Sequence, residues 1–331
     1  MTHGTTTRRG CLAWLVAALG GGLADSRAQG RVPRIGVLAN ALSQPQIPAP
    51  IQALREALRE LGYVEGRTIE ITFRWTEGKT ERLPELAAEL VREPVDLIVA
   101  SGEGPTRAAM AATRSIPIVM AVSGDAVGAG LVASLARPGG NVTGMTSMQP
   151  ELGAKRLQLL RELRPKAARI AVLWQPGVAA QGLDLDALQA AAPRHGITLR
   201  LFGIRAVDEV DGAFEAMVGG GCDALVVFTG DISTAARPRI LQLAAQHRLP
   251  AMYEAREWAA AGGLVSYGVT HVDMFRRSAS HVDRILKGAR AADLPVEQPT
   301  RVRLTFNQPA ARALGITIPQ ALLLRADEVI E

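Results

Sequence analysis

Residues 95–113, VDLIVASGEGPTRAAMAAT, contain one complete unit of the pattern that the whole chain repeats. The first six residues are almost continuously apolar, which indicates a strand buried on both faces. A loop of Ser and Gly follows, and Pro105 then opens a helix at the turn where its missing N–H costs nothing. Strand, loop and helix in this order predict a parallel sheet with right-handed helical crossovers.

The same alternation extends along the chain on both sides of this stretch. Strands, marked by β-branched and aliphatic runs, are predicted at 34–39, 69–75, 95–100, 116–122, 169–174, 198–202, 224–228, 251–253 and 301–307. Helices, marked by an apolar residue every three or four positions, are predicted at 51–61, 83–92, 105–113, 152–163, 183–195, 207–218, 237–247 and 274–287. The pattern restarts after residue 150, which predicts two α/β lobes in tandem.

Two turn-rich segments are expected to separate the lobes. Residues 137–145 contain Pro-Gly-Gly-Asn, a strong turn signal, and 261–268 contain a Gly pair. We expect an N-terminal lobe at 31–146 plus 268–297 and a C-terminal lobe at 147–267 plus 298–331. Two lobes joined by several crossing segments are typical of a hinged clamp.

The N-terminus has the pattern of a cleaved export signal at residues 1–28. Arg8 and Arg9 precede a short apolar run at 11–19, and small residues at 26 and 28 predict a cut before Gln29. The apolar run is shorter than the roughly 20 residues that span a bilayer. A retained anchor or an unstructured tail is the alternative. The twin arginine leaves both the Tat and the Sec export routes open.

Composition excludes several classes of protein. The hydrophobic content of 48% and charged content of 21% are ordinary for a soluble globular chain. The net charge of +5 is small and its basic residues are scattered, so we expect no nucleic-acid partner. Cys11 lies at the start of the apolar run and not after it, so it does not mark a lipid anchor. Cys222 would be the single cysteine of the mature chain, which forms no internal disulfide.

Motifs for catalysis, metals and cofactors are missing from the sequence. No Gly-x-Ser-x-Gly elbow, dinucleotide-binding glycine motif or phosphate-binding loop occurs. The five histidines include no pair at metal-ligand spacing. We therefore predict no catalytic residues, no metal site and no cofactor.

Ligands of open parallel sheets bind beyond the carboxyl ends of the strands, and this rule selects candidate site residues without an alignment. The loops at these ends contribute Asn40, Ser43, Ser101, Gly102, Ser123, Asp125, Gln175, Thr229, Asp231, Tyr253 and Glu254. Helix caps and turns use the same residue types, so a purely structural role is the alternative.

Three kinds of contact are expected from these candidates. Ser101, Gly102 and Ser123 precede or flank helix starts, where backbone N–H groups suit a carboxylate. Asp231 or Asp125 would meet an amino group. Tyr253 and Tyr267 would flank an apolar ligand body, unless they pack in the core or at the hinge.

Six segments of the chain resemble one family in particular. They are LGYVEGR at 61–67, FRW at 73–75, LVASLARPGGNVTG at 131–144, ELGAKRL at 151–157, AAAGGLVSYG at 259–268 and LRADEVIE at 324–331. They are similar to ABC-transporter substrate-binding proteins of the tryptophan/tyrosine-binding-protein-like group. This resemblance implies the type I periplasmic-binding-protein fold: two Rossmann-like lobes with parallel sheets, joined by a three-segment hinge. It also implies no catalysis, with an aromatic amino acid as the ligand of characterised relatives.

The resemblance carries a ligand-holding role to two residues and shows one departure. The family usually has Ala-Thr-Gly where this chain has Ala-Ser-Gly at 100–102, so Ser101 and Gly102 inherit that role. The chain has Trp-Gln-Pro-Gly at 174–177 where the family often has an Asn-Pro-rich segment. The second-lobe contacts are therefore expected to differ from those of relatives.

The expected function is that of a monomeric periplasmic receptor that captures a small molecule and presents it to an inner-membrane ABC permease. A ligand-sensing input protein for a signalling kinase is the first alternative, and neighbouring genes would separate the two. An exported α/β enzyme is the second alternative, and it would require a nucleophile and base facing the crevice.

Overall fold

The computed structural model describes residues 1, 31–40, 48–147, 151–299 and 301–331. The predicted signal peptide, apart from Met1, and the candidate Ser43 lie outside the described residues. The chain divides into two units, Met1–Val32 and Pro33–Glu331, and every element below belongs to the second. Within the described ranges, no helix combines the length and the apolar surface that crossing a bilayer requires.

The first lobe is built on a parallel sheet. Its strands, as far as the described residues show, are β1 (Arg34–Ala39), β2 (Glu70–Trp75), β3 (Leu97–Ala100), β4 (Ile118–Met120) and β5 (Val142–Gly144). They are ordered β2-β1-β3-β4-β5. Its first helices are α1 (Ala49–Glu60), α2 (Leu83–Arg92) and α3 (Glu103–Ala112). The strand order reverses between β1 and β3, the point at which such sheets bind ligands.

The second lobe has a larger sheet. Its described strands are β6 (Arg169–Trp174), β7 (Thr198–Gly203), β8 (Ala224–Val227), β9 (Ala251–Tyr253), β10 (Val265–Gly268), β11 (Arg303–Asn307) and β12 (Glu328–Ile330). They are ordered β12-β11-β10-β9-β8-β6-β7. All neighbours are parallel except β10 and β11, which are antiparallel. The strand order reverses here between β6 and β8.

The remaining helices connect and cover the two sheets. They are α4 (Glu151–Leu163), α5 (Ala179–Ala191), α6 (Glu209–Gly219), α7 (Asp231–Ala235), α8 (Arg237–Gln246), α9 (Arg256–Ala260), α10 (His271–Leu286), α11 (Gln308–Ala313) and α12 (Gln320–Leu323). Although α10 follows β10 of the second sheet, it packs against α1 of the first lobe. The chain therefore passes between the lobes after β5, after β10 and before β11.

The continuous apolar pattern of the central strands reflects burial on both faces. In β1, Ile35 and Val37 join the core layer beneath α1 and α10, whereas Leu38 points to the opposite layer beneath α2. A Cβ at Gly36 would lie 2.9 Å from Leu90 Cδ2, so glycine lets α2 approach the strand closely. These two layers fix the first sheet in place and leave its strand ends free to form a site.

Two strands lie where the sequence predicts breaks between the lobes. Val142–Gly144, within the predicted turn at 137–145, is the edge strand β5 of the first sheet. Val265–Gly268, within the predicted break at 261–268, is the inner strand β10 of the second sheet. Both are short and end in glycine, so the turn signals around them hide the β-branched and aromatic side chains that favour a strand.

Candidate ligand-binding site

A cavity of about 140 Å³ lies beyond the carboxyl ends of the central strands of both sheets. In the first lobe, the Asn40 N–H after β1 donates to Ser101 Oγ after β3 (3.1 Å), which joins the two strand ends at the reversal point. The second-lobe wall comes from α4 and α5 and from the loops after β8 and β9. The cavity thus has walls from both lobes.

Six of the twelve residues predicted for the site line this cavity. They are Ser101, Gly102 and Ser123 of the first lobe and Thr229, Asp231 and Glu254 of the second. All six lie in the segments that connect strand ends to the following element or at the helix start that ends such a segment, which is where the strand-end rule places ligand contacts.

Two first-lobe candidates lie behind the cavity wall. The Asn40 side chain is buried, and its Oδ1 accepts a hydrogen bond from Thr76 Oγ1 (2.7 Å). The Asp125 carboxylate accepts the N–H groups of Val127 (3.1 Å) and Gly128 (2.8 Å). Asp125 therefore stabilises a turn in the first lobe. This is the structural role that the sequence left open as the alternative to a ligand contact.

Three second-lobe candidates also fail to line the cavity. Gln175 Oε1 accepts the Ile232 N–H (3.3 Å) and so supports the start of α7. Tyr253 is 1% exposed and stacks on Trp258 with ring centroids 4.9 Å apart. Tyr267 packs against the apolar core of the second lobe. The two tyrosines therefore pack in the core of the second lobe, which is the alternative role that the sequence left open for them.

Asp231 forms a direct hydrogen bond between the lobes. At the first position of α7, its Oδ2 accepts the N–H of Gly104 at the start of α3 (3.1 Å). Burial raises the pKa of the Asp231 carboxyl to about 6, and the charge of Glu103 adds to this rise. The Asn40 amide and the Gly104 N–H act in the opposite direction, because they favour the ionised form.

Arg156 of α4 anchors the second-lobe wall. Its side chain is buried, its Nη1 lies 2.7 Å from Glu254 Oε1, and its Nε donates to the Tyr267 carbonyl (2.9 Å). The other Glu254 oxygen accepts the Thr229 N–H (2.7 Å). Glu254 is therefore paired with a cation through one oxygen and accepts a backbone N–H through the other.

Asp184 of α5 is an acidic group of a different kind. Burial raises the pKa of its carboxyl to about 7, the Glu254 charge adds to the rise, and Arg156 partly offsets it. Among the described residues, no hydrogen bond or ion pair reaches its carboxylate. Nearby, burial holds the pKa of His271 below its ordinary value, so this imidazole is neutral at pH 7.

Sequence reasoning missed the site residues that helices carry. Arg156, Gln181 and Asp184 lie inside helices, and His271 opens α10 after the chain crosses between lobes. A signal was present for one of them. Asp184 lies three residues after Gln181 and four before Leu188, both buried, so helical spacing places it on the inward face of α5.

The apolar part of the cavity is aliphatic. Its contributors are Val122, Leu152, Val178, Leu183 and Val269. Among the described lining residues, no Phe, Tyr or Trp side chain occurs. The site therefore combines carboxyl and hydroxyl groups with a small aliphatic surface.

Comparison with known proteins agrees with this architecture. The family model for ABC transporter substrate binding proteins matches residues 34–330. A tyrosine-binding protein from Clostridioides difficile is 28% identical over 292 residues, which cover 88% of this chain and 83% of that protein.

Two solved structures are similar over almost their whole length. The ABC domain in complex with L-Trp from Streptococcus pneumonia is 27% identical, with a TM-score of 0.82 over 91% of this chain and 100% of that one. A ligand-free, open substrate-binding protein with adhesive properties from Clostridium difficile is 26% identical, with a TM-score of 0.62 over 90% and 99%. At nearly equal identity, the backbone matches the ligand-bound relative better than the open one.

Proposed function

We propose that this chain, which belongs to the family of ABC transporter substrate-binding proteins, is a periplasmic receptor that captures an amino acid or a related small molecule. An export signal at 1–28 would deliver it, and an inner-membrane ABC permease would receive its ligand. The observation that supports this most directly is the cavity with walls from both lobes. A ligand that contacts both walls favours the closed arrangement by its differential affinity.

Two hydroxyl groups are available to such a ligand. Ser123 Oγ in the first lobe and Thr229 Oγ1 in the second are buried, and neither has a hydrogen-bond partner among the described residues. A buried hydroxyl without a partner is costly, so a ligand that bonds to both would gain free energy and join the lobes. Ser101 and Gly102, at the start of α3, add hydrogen-bonding groups on the first-lobe side of the cavity.

We expect a thermal-shift screen of amino acids, aromatic acids, sugars and nucleosides to identify one ligand class. A ligand at 100 times its dissociation constant stabilises the folded state by about 2.7 kcal/mol. The screen uses the mature chain from Gln29 and repeats each hit by calorimetric titration. Uniform melting temperatures across all four classes would contradict the receptor function.

A further inference from the structure

The cavity contains more negative than positive charge, even after its ion pairs are counted. Of its four carboxylates, Glu254 pairs with Arg156 (2.7 Å) and Glu103 pairs with Arg107 (2.9 Å). Each arginine is therefore already paired with a glutamate and does not balance another carboxylate of the cavity. His271 is held neutral by burial and contributes no positive charge at pH 7.

The other two carboxylates, Asp184 and Asp231, lack a cationic partner of their own among the described residues. The donors beside Asp231, the Gly104 N–H and the Asn40 amide, carry no charge, and Asp184 lies close to the negative Glu254. The pKa of each carboxyl is raised, to about 7 for Asp184 and about 6 for Asp231, because burial outweighs the opposing influences, which are the Arg156 charge at Asp184 and two uncharged donors at Asp231. Two acidic side chains of the same cavity therefore form no ion pair among the described residues.

The lining of the cavity favours one kind of ligand body. Its apolar contributors are aliphatic, and the His271 imidazole is the one aromatic ring among the described lining residues. The Tyr253 ring stacks on Trp258 instead. A cavity of about 140 Å³ with this lining favours a compact aliphatic body over a large aromatic one.

We infer that, within the proposed receptor function, the ligand of this chain is a compact aliphatic amine with net positive charge, bound by Asp184 and Asp231. An ammonium group is a compact cation with three donors, which suits two carboxylates on one cavity. The aliphatic stem would contact Leu152, Val178 and Val269. This ligand class differs from the L-Trp bound by the Streptococcus relative.

L-ornithine and L-leucine form a matched pair of probes, because they are similar in size and differ in the terminal ammonium. At about pH 8, we expect calorimetric titration to show that ornithine binds about tenfold more tightly than leucine, since a charged hydrogen bond is gained. L-tryptophan should bind more weakly than both.

Ornithine affinity should also rise with pH between about 5 and 8. Binding of a cation requires ionised Asp184 and Asp231, whose raised pKa values leave them partly protonated at the lower pH. The other charged groups facing them, Glu254, Arg156 and Glu103, are paired within the protein. Leucine affinity, measured in parallel, should depend less on pH.

The variant Asp184→Asn should remove the preference for ornithine over leucine, whereas Asp186→Asn should keep it. Asp186 lies on the same helix with its side chain exposed, so it controls for the change of charge. Far-ultraviolet circular dichroism of both variants checks folding. Preference for tryptophan, or an ornithine preference unchanged in Asp184→Asn, would overturn this ligand class while leaving the receptor function intact. The receptor function itself fails only if the full screen yields no ligand.

Discussion

Replacing Gly124 by Val is expected to weaken ligand binding about 100-fold without unfolding either lobe. Gly124 follows β4 in the first lobe, and a Cβ there would lie 2.4 Å from the Ala180 Cβ in the second lobe. Such overpacking costs about 3 kcal/mol, and each 1.4 kcal/mol is a factor of about ten in affinity. The valine side chain would clash with Ala180 only when the lobes meet, so the substitution destabilises the closed state alone.

Gly140→Val is the matched control for Gly124→Val. A Cβ at Gly140 has no atom within 4 Å, and the residue is exposed in the same lobe. Both variants should have wild-type melting temperatures without ligand, and only Gly124→Val should show a raised dissociation constant by calorimetry. Equal affinities in the two variants would mean that ligand binding does not require closure at this contact.

Replacing Arg156 by Met is expected to destabilise the unliganded protein by about 3–5 kcal/mol, the usual cost of removing one partner of a buried ion pair. The Arg156 side chain is 6% exposed, and its loss leaves Glu254 without a cation beside the acidic Asp184. The Tyr267 carbonyl would also lose its hydrogen bond. Urea unfolding of wild type and variant at about pH 8 measures the difference.

An exposed ion pair provides the comparison for this prediction. Arg325 contacts Glu162 (2.5 Å), but the two side chains are 41% and 31% exposed. Arg325→Met should therefore change the free energy of unfolding by only about 0.5 kcal/mol. A loss in Arg156→Met no greater than in Arg325→Met would show that the Arg156–Glu254 pair does not anchor the cavity wall.

The fold was largely predictable because its central strands are buried on both faces. Such strands are continuous apolar runs, and those at 34–39 and 169–174 were predicted with the bounds that the structure shows. Short edge or glycine-bearing strands such as Val142–Gly144 have no such run. Their hydrogen-bond partners are distant in sequence, so local pattern cannot reveal them.

The candidate site was predictable only where it follows from topology. Ser101 and Thr229 each follow a strand at a reversal point, and the strand-end rule identified both. Arg156 and Asp184 depend on how α4 and α5 lie over the second-lobe wall, which is a matter of tertiary packing. A polar residue within a helix does not by itself indicate that it faces a cavity.

Aromatic residues at strand ends are difficult to assign from sequence. Tyr253 ends β9 beside the cavity residue Glu254, and this position is equally compatible with a ligand contact or with core packing. The decisive contact is with Trp258, on α9 directly after the strand, which covers the Tyr253 ring. Side-chain direction alternates along a strand, so Tyr253 faces the core and its neighbour Glu254 faces the cavity.

The claim that the chain captures a small molecule between its lobes, without altering it, is tested most directly by titrating wild type and Asp231→Asn with the ligand that the screen identifies. Asp231 lines the cavity and joins the lobes through Gly104. We expect one ligand per wild-type chain, recovered chemically unchanged, and an affinity at least about tenfold lower in the variant, because a charged hydrogen bond is lost. Undiminished binding by Asp231→Asn, or conversion of the ligand to a product by the pure protein, would contradict the account.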